Sequence, residues 1–530
     1  MLEALTKGLG VKFRWNYREV ALFSFRPCRF CKWWIMKTAT SSIRWWRIAI
    51  WLFVVALFGA GGGLLVLANR IPSRKAPAGI VWEIRDHDPS DEFDKPGGVL
   101  IAPSGDIILF GSNRILKYDG ITGETLWRNP TTAQVLAIDA HGDLYATYSS
   151  GRILCKYAGE DGKLVWKQSY ESRHKYWVQG LALDSLGNPV VAGFSPNDTL
   201  YYSYLAKYDA LDGHLIWEHQ GEYEPVAELW HGSFGMKIGP TDDVVFVSST
   251  KEQETGGFTG RCFIQKIDGR DGHPLWAQRF RTKSGNADFS QSTDLDREGN
   301  VFVAGYSSDG RQENTVISKF RTLDGELMWS SPCEIRADGG NRPSAILVDQ
   351  AGNVVVCVDW RGSNSSYEAH TLKYAGNDGK LLWKQSRRVL ADSTTVAEAC
   401  VSANLFLDRQ GALVLAGNRW NGSNIDYHLA WVSGNDGIVL HEVSYDGPAH
   451  DHDLLYGVAF APDGGVIAAG SSSNCAEWLK PSKAFSRLIR NRKSYSGIQR
   501  ESDHVFDDDP YNYDITMVKF RAFPDEKSKR

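Results

Sequence analysis

The chain has 530 residues, with 59 Lys and Arg against 63 Asp and Glu, and a formal net charge of −4. So small a charge for the length excludes bulk attraction to nucleic acid, and a composition 42% hydrophobic with 19 Trp and 52 Gly excludes a disordered polymer. Eight cysteines spread over 530 residues do not make a small disulfide-stapled scaffold.

In chain order, residues 1–47 form a basic tail, with Lys7, Lys12, Arg14, Arg18, Arg26, Arg29, Lys32, Lys37, Arg44 and Arg47 opposed only by Glu3 and Glu19. Cys28 and Cys31 make a lone CxxC there, and one pair without a partner pair is a weak zinc signal. Residues 48–69 carry no charge and are long enough to span a hydrocarbon core. The charge asymmetry predicts a single-pass membrane protein with a cytoplasmic N-terminus and the rest periplasmic or extracellular. A signal-peptidase site at 66–68 is the alternative, but a cleaved apolar region is about 7 to 15 residues, which favours an uncleaved anchor. Met36 opens a second stretch suited to export, so Met1 and Met36 are both compatible starts. Residues 70–77 read as a linker.

From residue 78 to 523 one pattern recurs. A Lys, usually followed by an aromatic, precedes a DG or TG turn and then a Trp, as in KYDGITGETLW, KYAGEDGKLVW, KYDALDGHLIW, KIDGRDGHPLW, KFRTLDGELMW and KYAGNDGKLLW. Upstream of each lies a second β-rich pair around a Gly turn, as in AIDAHGDLYAT and DLDREGNVFVAG. The unit is four short antiparallel strands, repeating roughly every 40 to 60 residues as propeller blades do. Eight units start near Gly98, Leu136, Leu181, Met236, Thr293, Ile346, Leu405 and Val458. In the seventh, Trp431 stands in place of Lys and His441 in place of Trp. The eighth ends after its Lys519–Phe520 strand without a Trp strand, and an orphan strand around Trp82 is expected to supply it and close the ring. The repeated Lys reads as an edge charge with its stem on apolar surface and its head in water. The fold expected is thus all-β, an eight-bladed propeller of four-stranded antiparallel blades, closed by an N-terminal strand and preceded by one transmembrane helix. Residues 524–530 form a short tail.

These paired motifs resemble the bacterial β-propeller repeat family of SBBP type, and the DG/TG-to-Trp element is similar to the tryptophan-docking repeat of PQQ-like, quinoprotein-type propellers. The resemblance spans about residues 78–523. It implies the fold, and it admits redox enzymes, assembly scaffolds and binding modules alike. Quinoprotein enzymes of that type hold quinone and Ca²⁺ near the axis, many with an adjacent Cys-Cys pair. This chain has no adjacent cysteines, no CxxCH and no long walling insertions, so no cofactor is expected, PQQ and Ca²⁺ included.

Departures from the repeat carry the remaining signals. Trp177, Trp230, His231, Phe289, Arg342 and Tyr456 lie in the variable connections, a mixture suited to a peptide, glycan or polar ligand. His450, Asp451, His452 and Asp453 form the densest set of potential metal ligands. An insert at 476–512 runs from basic to acidic. No paired catalytic carboxylates, nucleophile elbow, Walker loop or metalloprotease helix is present. The expectation is therefore a membrane-anchored, extracytoplasmic, non-catalytic binding or assembly scaffold for a protein or glycan of the cell envelope. The alternative is an extracytoplasmic propeller enzyme, a quinone-dependent oxidoreductase or a hydrolase.

Overall fold

The computed structural model describes residues 79–521, except 87–95, 112–113, 149–152, 170–176, 198–199, 222–227, 255–256, 281–286, 309–312, 336–339, 362–366, 390–403, 409–410 and 474–512. The basic tail, the apolar run 48–69 and the insert 476–512 lie outside these residues. Among the described residues no helix is long and apolar enough to cross a membrane.

The described strands form eight four-stranded sheets, each a meander of antiparallel neighbours. Blade 1 runs through Pro96–Ile101, Ile107–Gly111, Ile115–Tyr118 and Thr125–Asn129. The first strands of successive blades pack on one another around the ring and are the innermost. Blade 8 is mixed: its first three strands are Asp453–Phe460, Val466–Ser473 and Tyr513–Phe520, and its fourth is Ile80–Asp86. Trp82 pairs with Lys519 and Ile84 with Met517, which is the closure expected from the orphan strand. Neighbouring residues of a strand face opposite sides, and the closing strand uses this to hold both neighbours. Arg85 Nη2 donates to Tyr445 Oη of blade 7 at 3.0 Å, while Asp86 accepts Nη1 and Nη2 of Arg128 of blade 1 at 2.9 and 3.0 Å.

The apolar core is not one mass. It divides into eight clusters, and each cluster spans one seam between adjacent blades. Val190, Phe194 and Trp217 of blade 3, for instance, meet Val244 and Phe246 of blade 4. Burial of this kind supplies roughly 25 cal/mol per Å² of apolar surface, and here it is realised only when blades meet.

The repeated Lys is not a solvated edge charge. Lys207 is 7% exposed and Lys519 3%. At seven of the eight seams the ammonium donates to a backbone carbonyl in the third-to-fourth-strand turn of the next blade, at 2.7–3.3 Å. It also pairs with an Asp in the first-to-second-strand turn of its own blade, at 2.6–3.1 Å. At six seams the repeat Trp donates its indole N–H to the same carbonyl, at 2.9–3.2 Å. The expectation failed because sequence shows the charge but not the neighbouring blade that covers it. At the closing seam Lys519 bonds the Gly120 carbonyl, yet the buried Trp82 indole N–H has no partner among the described residues.

Each Trp ring also lies against the Gly of that neighbouring turn. Gly213 has φ +76°, and a Cβ there would sit 2.7 Å from the Trp166 ring. Gly352 has a similar φ of +79° with nothing within 4 Å. Gly352→Ala should therefore cost about 1–2 kcal/mol for the left-handed backbone alone. Gly213→Ala should cost that and the displaced Trp as well, seen as a clearly larger fall in melting temperature. Equal falls would show that the ring tolerates the methyl.

The same seam offers a test of the clamp. Lys207 bonds the Gly269 carbonyl at 2.7 Å and Asp184 at 2.6 Å. Lys207→Met keeps the stem but strands a buried carboxylate, and should destabilise by roughly 3–5 kcal/mol. An unchanged unfolding midpoint would contradict the clamp.

Candidate functional site

The meander sorts the connections by face. Turns between first and second strands, and between third and fourth, lie on one side of the disc and carry the Lys–Trp clamps. The starts of the innermost strands and the second-to-third-strand loops lie on the other, the mouth face. The variable residues fall on innermost strands: Trp177 opens Trp177–Leu183, Trp230 and His231 lie early in Glu228–Ile238, and Phe289 lies early in Ala287–Leu295. Arg342 is second in Asn341–Val348, and Tyr456 fourth in Asp453–Phe460. Four consecutive blades, 3 to 6, thus bring five of the six to one face.

Blade 4 departs most from its neighbours. Between Leu229, paired with Thr250, and Phe234, paired with Ser248, residues 230–233 stand opposite the single residue Ser249. Other innermost strands carry a one-residue irregularity, as at Gln291 and Tyr456. A four-residue expansion takes the backbone of Trp230 and His231 out of the ladder, and bulges of this kind re-aim chain at sites. Ser249 Oγ then bonds Ser290 of blade 5, accepting its N–H at 2.7 Å and lying 2.9 Å from its Oγ. On the next seam Arg342 grips Glu313 with both Nε and Nη2, the latter at 2.6 Å. Its guanidinium carbon lies 4.7 Å from the Tyr306 ring centroid. The side chain remains half exposed, and both Arg342 and Tyr306 titrate higher than usual: the first through Glu313, the second, pushed up to about 12, mainly through burial.

The four-residue ligand candidate does not converge as a unit. His450, at φ +50°, turns its Nδ1 to Asp446 Oδ2 at 2.7 Å. His452 is buried and its Nδ1 accepts the Ile425 N–H at 3.2 Å, burial lowering its pKa. Asp451 Oδ1 accepts the His452 N–H at 2.8 Å. Asp453 instead meets Asp426 and Asp446, with one oxygen from each of the three within 4.8 Å of the others. These three carboxylates could hold a hard cation such as Ca²⁺ or Mg²⁺. Polar groups already serve them: Asn421 Nδ2 donates to both oxygens of Asp426 at 3.1 and 2.9 Å, Asn424 Nδ2 to Asp446 at 3.3 Å, and the Gly447 N–H to Asp453 at 2.6 Å. A second acidic group, Asp209, Asp212 and His214, belongs to a clamp-side turn in which both carboxylates cap backbone N–H groups.

Asp426 and Asp446 were not singled out from sequence. The available signal was topological. Residues 421–424 form a second-to-third-strand loop, with Asp426 second in the strand that follows, and 446–452 a blade-to-blade connection that ends at Asp453, and both classes share the mouth face.

The comparisons bear on the whole framework. A family model described as outer membrane protein assembly factor BamB, of the PQQ-like repeat type, matches residues 76–255 and 260–429, more than half of the chain. The chain belongs to this family. Comparison with the curated proteins finds no match. Among solved structures, the chain is similar to the quinohemoprotein alcohol dehydrogenase of Comamonas testosteroni, at 11% identity and TM-score 0.46, covering 84% of this chain and 77% of that one. It is also similar to Chaetomium thermophilum Sqt1 bound to the N-terminus of the ribosomal protein L10, at 11% identity and TM-score 0.48, covering 73% and 96%. Kluyveromyces lactis Hsv2 follows at 10% and 0.40, covering 66% and 99%.

The carboxylate cluster makes a pH prediction. Burial, ahead of relief by Ser472, Gly447 and Arg85, pushes Asp453 up to about 7, and burial likewise pushes Asp426 up to about 6. Both exceed the unfolded value of about 4. Between about pH 4 and about pH 7 the folded chain therefore binds more protons than the unfolded one, and stability falls as pH rises. Asp453→Asn keeps an acceptor for the Gly447 N–H and should flatten that slope, gaining on the parent protein between about pH 5 and about pH 8. Parallel melting-temperature profiles would refute the assignment.

Proposed function

We propose that this chain is a membrane-anchored, extracytoplasmic propeller that works as a non-catalytic binding or assembly scaffold, offering its mouth face to a protein or glycan of the cell envelope. The observation that carries the reading is the run of variable residues on blades 3 to 6: Trp177, the expanded segment with Trp230 and His231, Phe289, and the Glu313-clamped Arg342. Aromatics and Arg are the residue types from which binding hot spots are built. Membership of a family described as an outer membrane assembly factor supports the same reading. The uncharged run 48–69 behind a basic tail supports the anchor and its orientation.

Photocrosslinking from the mouth face in native membranes, with identification of the adducts, tests the function. Trp177→Ala and Trp230→Ala should each weaken the partner by roughly 30-fold, about 2 kcal/mol, with the melting temperature held. Undiminished adducts in the double variant would sink the mouth-face reading. Titrating the purified propeller with PQQ and Ca²⁺ separates the enzyme reading. The scaffold expects no shift, whereas saturation at about 1,000 times Kd would add about 4 kcal/mol of stability and favour a quinone-dependent oxidoreductase.

The anchor has its own test. The full chain should stay with membranes through an alkaline carbonate wash, and a form lacking 1–69 but given a cleavable export signal should leave with the supernatant. Retention of the truncated form would show that the apolar run is not what holds the protein there.

A further inference from the structure

We draw no further inference here: the strongest candidate, the cluster of Asp426, Asp446 and Asp453 where blade 7 meets blade 8, is an acidic cluster whose side chains are already engaged by Asn421, Asn424 and the Gly447 N–H, and no second observation points to a ligand there.

Discussion

One backbone carbonyl in each of blades 1 to 7 organises this propeller. It lies in the turn between third and fourth strands and accepts the Lys ammonium of the preceding blade and, at six of the seven, the Trp indole N–H as well. A buried ammonium is costly unless it is paired and its protons are bonded, so the arrangement demands both the carbonyl across the seam and the Asp within the blade. Each partner is supplied by a tight turn, and each turn needs a residue that tolerates positive φ. At the first-to-second-strand turn of blade 4 that residue is Asp242, φ +62°, whose carboxylate also bonds Ser185 of blade 3. The repeat is thus a set of mutual requirements: Lys needs Asp and the next turn, Trp needs the Gly beneath its ring, and the Gly permits the turn that offers the carbonyl.

The exception follows from the same requirement. A Lys at position 431 would reach toward the third-to-fourth-strand turn of blade 8, and no such turn exists, because those two strands come from opposite ends of the described chain. Among the described residues their junction carries the backbone bond from the Arg521 N–H to the Gly79 carbonyl, at 2.7 Å. A cationic group there would meet no such turn carbonyl among the described residues. Trp431 replaces it, 2% exposed and tilted on His441 at 5.4 Å, inside the cluster that joins Tyr427 and Leu429 to Ile80, Val466 and Phe520. The irregular pair in the seventh repeat thus stands at the seam where the ring closes, with Trp431 packed in the core that joins blades 7 and 8.

What sequence made legible was whatever repeats or is local. Blade number, strand order and turn positions all follow from a period and from Gly chemistry. Trp82 was identified as the closing strand because it completed an otherwise incomplete unit. The lysines were misread for the complementary reason: burial at a seam is a property of two blades, and the residue pattern of either blade alone is that of an exposed edge. The same limit hid Asp426 and Asp446, which lie 27 and 7 residues before Asp453 and meet it only because two connection classes share a face. His450 and His452, two residues apart in sequence, separate because positive φ at His450 turns it outward while His452 is buried against Ile425.

The two faces divide the demands on the chain. On the clamp face blades 1 to 7 each present the same turn to the preceding blade, so a change there breaks a bond in that blade as well as in its own. The mouth face has no such obligation, because the clamps already fix the angle between blades and the apolar seams already hold them together. Insertions and irregular lengths can collect there without disturbing the ring: the four-residue expansion opposite Ser249, the eleven-residue strands Val244–Glu254 and Gly257–Ile267, and the polar loop before Ile425–Val432. Two cross-blade bonds brace this side of the ring, Ser249 to Ser290 at one seam and Arg342 to Glu313 at the next. Arg342, already held by Glu313 across a seam, meets one physical condition for recognition, since a group ordered before binding loses little freedom when it binds.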